Sequence, residues 1–155
     1  MKLKNQKGKT AQQGIGILEL LLVLALIGLA LAFVFSNAQK ATSKSYDQQI
    51  LNDVLLIKSE AMAWRGPRPV FTGVSITALT SVGLLNTTWG AGTAINPVGG
   101  DYTLAVSGAD AAAMQITATD LAAPQCAGLA RALALSAAEG TTPSCTGGVL
   151  SVTFR

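Results

Sequence analysis

The sequence predicts an α+β protein, with a long N-terminal α-helical spine packed on a small antiparallel β-sheet head. Three observations carry that expectation. Ile15 to Phe35 runs apolar with a single charged residue, Glu19, inside it. From Ser36 to Trp64 there is neither proline nor glycine, and apolar residues recur at steps of three and four. Beyond residue 100, three short stretches alternate apolar and polar side chains, with the period of two that a half-buried strand requires.

The first element is the apolar run. As a helix its 21 residues cover roughly 31 Å, against about 30 Å of bilayer hydrocarbon. Lys2, Lys4, Lys7 and Lys9 precede it, the flank that stays in the cytoplasm, so the chain after Phe35 is expected to be exported. A secretory signal peptide is the competing reading. Ser36-Asn37-Ala38 and Ala41-Thr42-Ser43 offer small-residue cleavage sites, but the apolar core is long for a signal peptide and has Glu19 within it.

Helix-favouring sequence continues past Phe35. Ile50, Val54, Ile57, Ala61 and Trp64 form one apolar stripe with Leu51 and Leu55 alongside, while Asp47, Gln48, Asn52, Asp53, Lys58 and Ser59 take the other faces. Gly66, Pro67 and Pro69 end the pattern. The reading is one helix from Ile15 to Trp64, with Gly28 as the only weak point of its membrane half. Its second half is one-sided and packs on a domain. Its first half is apolar all round, so its partners are lipid or copies of itself.

Residues 66 to 100 are rich in Gly, Thr, Ser and Asn, with a short helix expected near Thr77 to Leu85 and a turn at "NPVGG", Asn96 to Gly100. Strands are expected where Tyr102, Leu104 and Val106, then Met114, Ile116 and Ala118, then Leu150, Val152 and Phe154 alternate with polar or small residues. Between the second and third lies another helix, with Pro124 in its first turn, Leu129 and Leu133 on one face and Gly140 as its C-cap. The chain thus divides into residues 1–14 before the apolar run, a helix over 15–65 (15–35 membrane half, 36–65 packed half) and a head over 66–155. Cys126 and Cys145 both fall in the exported part, where two cysteines read as one disulfide, the alternative being two buried thiols. The loop they close is worth about 3 kcal/mol in the chain-entropy model.

Charge and chemistry narrow the function. The net charge is +3, but four lysines lie before the apolar run, leaving seven basic against eight acidic side chains in the rest of the chain. That is no footprint for nucleic acid. There is no histidine, and no metal-ligand cluster, phosphate-binding glycine loop or nucleophile elbow. Neither enzymatic activity nor a cofactor or metal is expected.

The residues "QQGIGILELLLVLALIGLALAF" resemble the N-terminal signature of type IV pilins and the related pseudopilins. The resemblance implies that residues 1–14 are a leader, cut by a prepilin peptidase between Gly14 and Ile15, and that the new N-terminus at Ile15 is N-methylated. Cleavage there makes Glu19 the fifth mature residue, as the family requires; a cut after Gly16 would make it third. The family's logic assigns Glu19 to assembly: in the fibre its carboxylate is the counter-ion of a neighbouring subunit's new α-amino group. Unpaired at mid-bilayer a carboxylate costs about 3 kcal/mol, and pairing both offsets that and favours one axial stagger.

Within the family the chain is most similar to b-class pilins, such as those of bundle-forming or conjugative thin pili. The leader is longer than the a-class leader, Ile15 stands where a-class chains have Phe, and Ser36 stands where they have a kinking proline. "INPVGGDYTL" is similar to a turn found before a sheet strand in that class, although leader and head are both short for it. The resemblance implies that strand 149–154 lies inside the sheet and that the Cys126–Cys145 loop lies near the subunit surface. It also implies a function: the major subunit of a helical surface fibre for adhesion, aggregation or mating-pair formation. The implied partners are other copies of the chain, the prepilin peptidase, an assembly platform with its ATPase, an outer-membrane secretin, and a host or recipient cell surface. The precursor would sit in the bacterial inner membrane with its head periplasmic, and the mature chain in an extracellular fibre.

Two other readings stand beside it. A pseudopilin of a type II secretion system, or a minor pilin, would share the N-terminus. The major pseudopilin, however, binds calcium in a C-terminal loop, and here Ser136 to Gly148 has only Glu139 as a charged oxygen ligand. A signal-anchored periplasmic protein would leave Gly14 uncut and have no use for Glu19.

Overall fold

A computed structural model describes residues 16–89 and 95–155, without the side chains of 39–41. The leader, Gly14 and Ile15 therefore lie outside the described residues. The described chain forms α1 (Ile17–Arg65), α2 (Ile76–Ser81), a 3-10 turn (Thr87–Trp89), β1 (Tyr102–Val106), β2 (Met114–Ala118), α3 (Ala123–Leu133), β3 (Ser144–Thr146) and β4 (Val149–Phe154). The chain resolves into two compact units, residues 1–40 and 41–155. The second holds the latter part of α1 together with the sheet.

In that second unit the one-sided half of α1 behaves as its spacing demands. Ile50, Val54, Ile57 and Ala61 are buried, and Leu51, Leu55 and Trp64 pack at the margin of the same core. Burying each of the larger side chains contributes about 1.5–3 kcal/mol, which is what holds this segment to the sheet. The helix ends after Arg65, where Gly66 takes a positive φ of 54° and donates its N–H to the Met62 carbonyl.

The sheet is antiparallel, in the order β1-β2-β4-β3. Its register stacks the core-facing residues in three rows, all buried except the half-buried Val106: Tyr102, Ala118 and Leu150; Leu104, Ile116 and Val152; Val106, Met114 and Phe154. On the other face Thr103 meets Thr117, hydroxyl to hydroxyl, and the Gln115 amide donates to Ser151 Oγ at 2.8 Å. The last strand, β4, lies inside the sheet between β2 and β3.

Two elements depart from the sequence reading. The second helix stops at Leu133, and Gly140 is not its cap. Beyond Leu133 the chain turns: Ser136 and Ala137 donate to the Leu133 carbonyl, and Ala138 donates to Thr153 of β4. That tertiary bond outcompetes another helical turn, and Gly140 sits instead in a following turn with φ 77°. The sheet also has a strand that alternation does not reveal. β3 is three residues long, and it exists because Gly147 and Gly148, at φ 58° and 78°, form a two-residue hairpin turn that folds Thr146 onto Val149. Gly148 is doubly constrained, because a Cβ there would meet the Leu121 carbonyl oxygen at 2.9 Å. The short helix expected near Thr77 to Leu85 is α2, six residues long and capped by Ser75 Oγ, which accepts from the Ala78 N–H.

Candidate functional site

The first unit is dominated by the apolar half of α1. Every large apolar side chain from Ile17 to Phe35 is exposed, from 49% at Val23 to 84% at Leu18. This helix is long and apolar enough to cross a membrane, and none of its most apolar 18-residue window is buried by its own chain. Glu19 lies in its first turn, its N–H and that of Leu20 both donating to the Gly16 carbonyl. The carboxylate is exposed and, among the residues of its own helical turn, stands alone amid leucine and isoleucine. Gly28 is helical, and a Cβ added there would meet no packed neighbour within 4 Å, so no packing among the described residues requires a glycine there.

A surface of this kind does one chemical thing. It leaves water for an apolar medium, and there its single carboxylate seeks a cation or a hydrogen-bond donor. The cation that the pilin resemblance would supply, the α-amino group of Ile15 on another copy, lies outside the described residues.

The second unit contains the other predicted residues. Cys126 and Cys145 are joined as a disulfide with Cα atoms 5.8 Å apart. The bond ties α3 to β3: Cys126 is wholly buried, while Leu135, in the intervening loop, is 99% exposed. Among the described residues no group of three or more His, Cys, Asp or Glu side chains is placed to hold a metal.

Three features of this unit go beyond the sequence reading, which expected the turn at Asn96 to Gly100 but not its anchoring. Asn96 is the buried polar residue of the described core, and its side chain makes three hydrogen bonds: Oδ1 accepts from the Val98 and Gly100 N–H groups at 3.0 and 2.9 Å, and Nδ2 donates to the Thr119 carbonyl at 2.8 Å. The "NPVGG" segment is thus a turn locked to β2. Gly99 takes φ 94°, and a Cβ on Gly100 would meet the Thr119 carbonyl oxygen at 2.1 Å. The second feature is a polar contact between spine and sheet. Tyr102 Oη donates to Asp53 Oδ2 at 2.9 Å, and Trp89 stacks on the Tyr102 ring at 5.6 Å between centroids. Burial raises the Asp53 carboxyl above its ordinary range, opposed by the hydrogen bond from Tyr102. Burial, then the charge and hydrogen bond of Asp53, push the Tyr102 phenol up.

The third is a cleft of about 330 Å³ lined by Ser43, Tyr46, Asp47, Val98, Ala122, Pro124 and Gln125, in which Asp47 Oδ1 is buried without a hydrogen-bond donor. No period-two or helical pattern announces any of these, because each includes a contact between residues tens of positions apart.

Comparison with protein-family models, with curated proteins and with solved structures finds no match for this chain. The arrangement itself, a long apolar N-terminal helix, a small antiparallel sheet and a disulfide, is compatible with a pilin-like fold.

Proposed function

We propose that this chain is the structural subunit of a type IV pilus, a major pilin of the b-class. A prepilin peptidase processes it between Gly14 and Ile15, Ile15 is N-methylated, and the mature chain polymerises into a helical surface fibre. One observation carries the reading: the helix from Ile17 to Phe35 buries none of its large side chains in its own chain and holds one carboxylate, Glu19, in its first turn. Water does not tolerate so large a contiguous apolar surface. A plain membrane anchor would meet that demand but has no role for the carboxylate. A bundle of identical helices meets both, the Ile15 amine of one copy neutralising Glu19 of the next.

The precursor waits in the inner membrane with its head in the periplasm. An ATPase-driven platform moves subunits into the fibre, which leaves through an outer-membrane secretin. The apolar helices fill the fibre core, the heads form its wall, and the head surface meets the host or recipient cell in adhesion, aggregation or mating-pair formation.

Electron microscopy of fibres sheared from cells expressing the chain tests this. Wild type gives fibres built of the chain. Glu19→Ala inserts into the membrane with a folded head and gives none. Normal fibres from Glu19→Ala contradict the assembly role of Glu19, and absence of wild-type fibres at normal expression contradicts the pilus reading in favour of a pseudopilin.

A further inference from the structure

The outer face of the sheet carries a pattern that burial of the core does not require. The register sets Thr103, Thr117, Ser151 and Ser144 opposite one another, so a row of hydroxyls crosses all four strands. At the usual strand spacing that row is roughly 14 Å long. Thr103 and Thr117 bond hydroxyl to hydroxyl, and Ser151 Oγ accepts from the Gln115 amide. A hydroxyl donates once and accepts twice, so each of these keeps capacity for a further bond. None of the residues of β1 to β4 is charged, so the face is polar without carrying charge.

A second observation joins the first at one end of the row. Thr103 also lines a cleft of about 250 Å³ beside β1, the outermost strand, together with Ser75, Thr77, Trp89 and Tyr102. Ser75 Oγ accepts from the Ala78 N–H, which leaves its own hydrogen to donate, and Thr77 is exposed. Trp89 is half-buried and stacks on Tyr102, whose Oη is anchored by Asp53, so the indole is held in place before any ligand arrives. The rest of the described lining, Ile76 and Leu104, is apolar, and none of it is charged.

We propose that the cleft and the row together bind a neutral polysaccharide chain, with one sugar ring in the cleft against Trp89 and the following rings lying across Thr103, Thr117, Ser151 and Ser144. A pyranose has an apolar C–H face and a rim of hydroxyls that both donate and accept. An aromatic ring set among hydroxyls matches both features. An anion finds no cation here, and a purely apolar ligand would strip water from the hydroxyls without replacing its hydrogen bonds. On the pilus reading the polysaccharide belongs to a host or recipient cell surface, and the inference rests on that reading only for the compartment in which the head meets it.

Isothermal titration calorimetry tests this on the full-length chain in a polyoxyethylene detergent, which carries no sugar to compete. The measurement needs no fibre, so its outcome stays distinct from the presence or absence of wild-type fibres. The probes are maltotetraose, cellotetraose, the N-acetylglucosamine tetramer and a galactose tetramer, with each monosaccharide and tetragalacturonate beside them. At least one neutral tetramer binds with a Kd of roughly 1 mM or below, tenfold or more tighter than its monosaccharide and than tetragalacturonate. Trp89→Ala weakens that binding about tenfold or more. Thr117→Val, which keeps the shape and the strand preference and removes one hydroxyl of the row, weakens it about fivefold with unchanged thermal unfolding. No binding by any of the four tetramers overturns the proposal. So does a tetramer that binds no tighter than its monosaccharide, equal binding of tetragalacturonate, or undiminished binding by Thr117→Val.

Discussion

Residues 17–35 and residues 50–61 belong to one helix and are both rich in leucine, isoleucine and valine, yet they live in opposite circumstances. In the later segment Ile50, Val54, Ile57 and Ala61 are sealed under a sheet, with Asp53 and Lys58 on the flanks. In the earlier one the apolar residues face outward on every side. The difference is one of patterning: a stripe is matched to a partner in the same chain, while an all-round apolar surface has no such partner and needs a medium or other molecules. On the proposed reading Glu19 turns that into a preference for other molecules, because lipid offers a carboxylate no counter-charge.

The comparison is broken most forcefully by making the same substitution in both segments. Ile57→Ala leaves a cavity under the sheet and lowers head stability by about 2–5 kcal/mol in denaturant unfolding. Leu24→Ala leaves head unfolding unchanged within about 0.5 kcal/mol and instead weakens fibre assembly. An equal effect of both on head unfolding would mean that the apolar half packs on its own chain after all.

A smaller effect sharpens the account of how the head is held. Asn96→Ala orphans the N–H groups of Val98 and Gly100 and the Thr119 carbonyl, costing the head about 2 kcal/mol by the same measurement with no change in membrane insertion.

The smallest concerns the contact between spine and sheet. With the Tyr102 phenol raised by burial and by Asp53, the folded head keeps a proton that the unfolded chain releases as pH rises past the ordinary tyrosine value of 10.0. Folding stability is therefore intact below pH 10 and declines above it. Tyr102→Phe, at a cost of about 1 kcal/mol for the lost hydrogen bond, flattens that alkaline decline; a decline of the same steepness in the variant would remove Tyr102 as its source.

What could be read in the sequence follows from the range over which each cause acts. The spine declared itself through composition and spacing, and the helix ends at Arg65, one residue beyond the expected Trp64, while the expected start at Ile15 lies outside the described residues. The strands around Leu104, Ile116 and Val152 declared themselves by alternation. β3 did not, because its three residues gain strand geometry only from the Gly147–Gly148 turn and from β4. The end of α3 was misplaced because the bond from Ala138 to Thr153 is tertiary. Glu19 stood out as a charge in an apolar run, and the two cysteines by their number. The Asp47 cleft gave no signal, since it is assembled from the helix, the turn at Val98 and the start of α3.

The central claim is that the apolar half of the helix is made to be buried among its own copies once Ile15 carries a new amine. Mass spectrometry of the subunit from sheared native fibres tests it most directly. The account predicts a chain that begins at an N-methylated Ile15, with all four leader lysines gone; a fibre-borne or native membrane-borne chain that still begins at Met1 contradicts it.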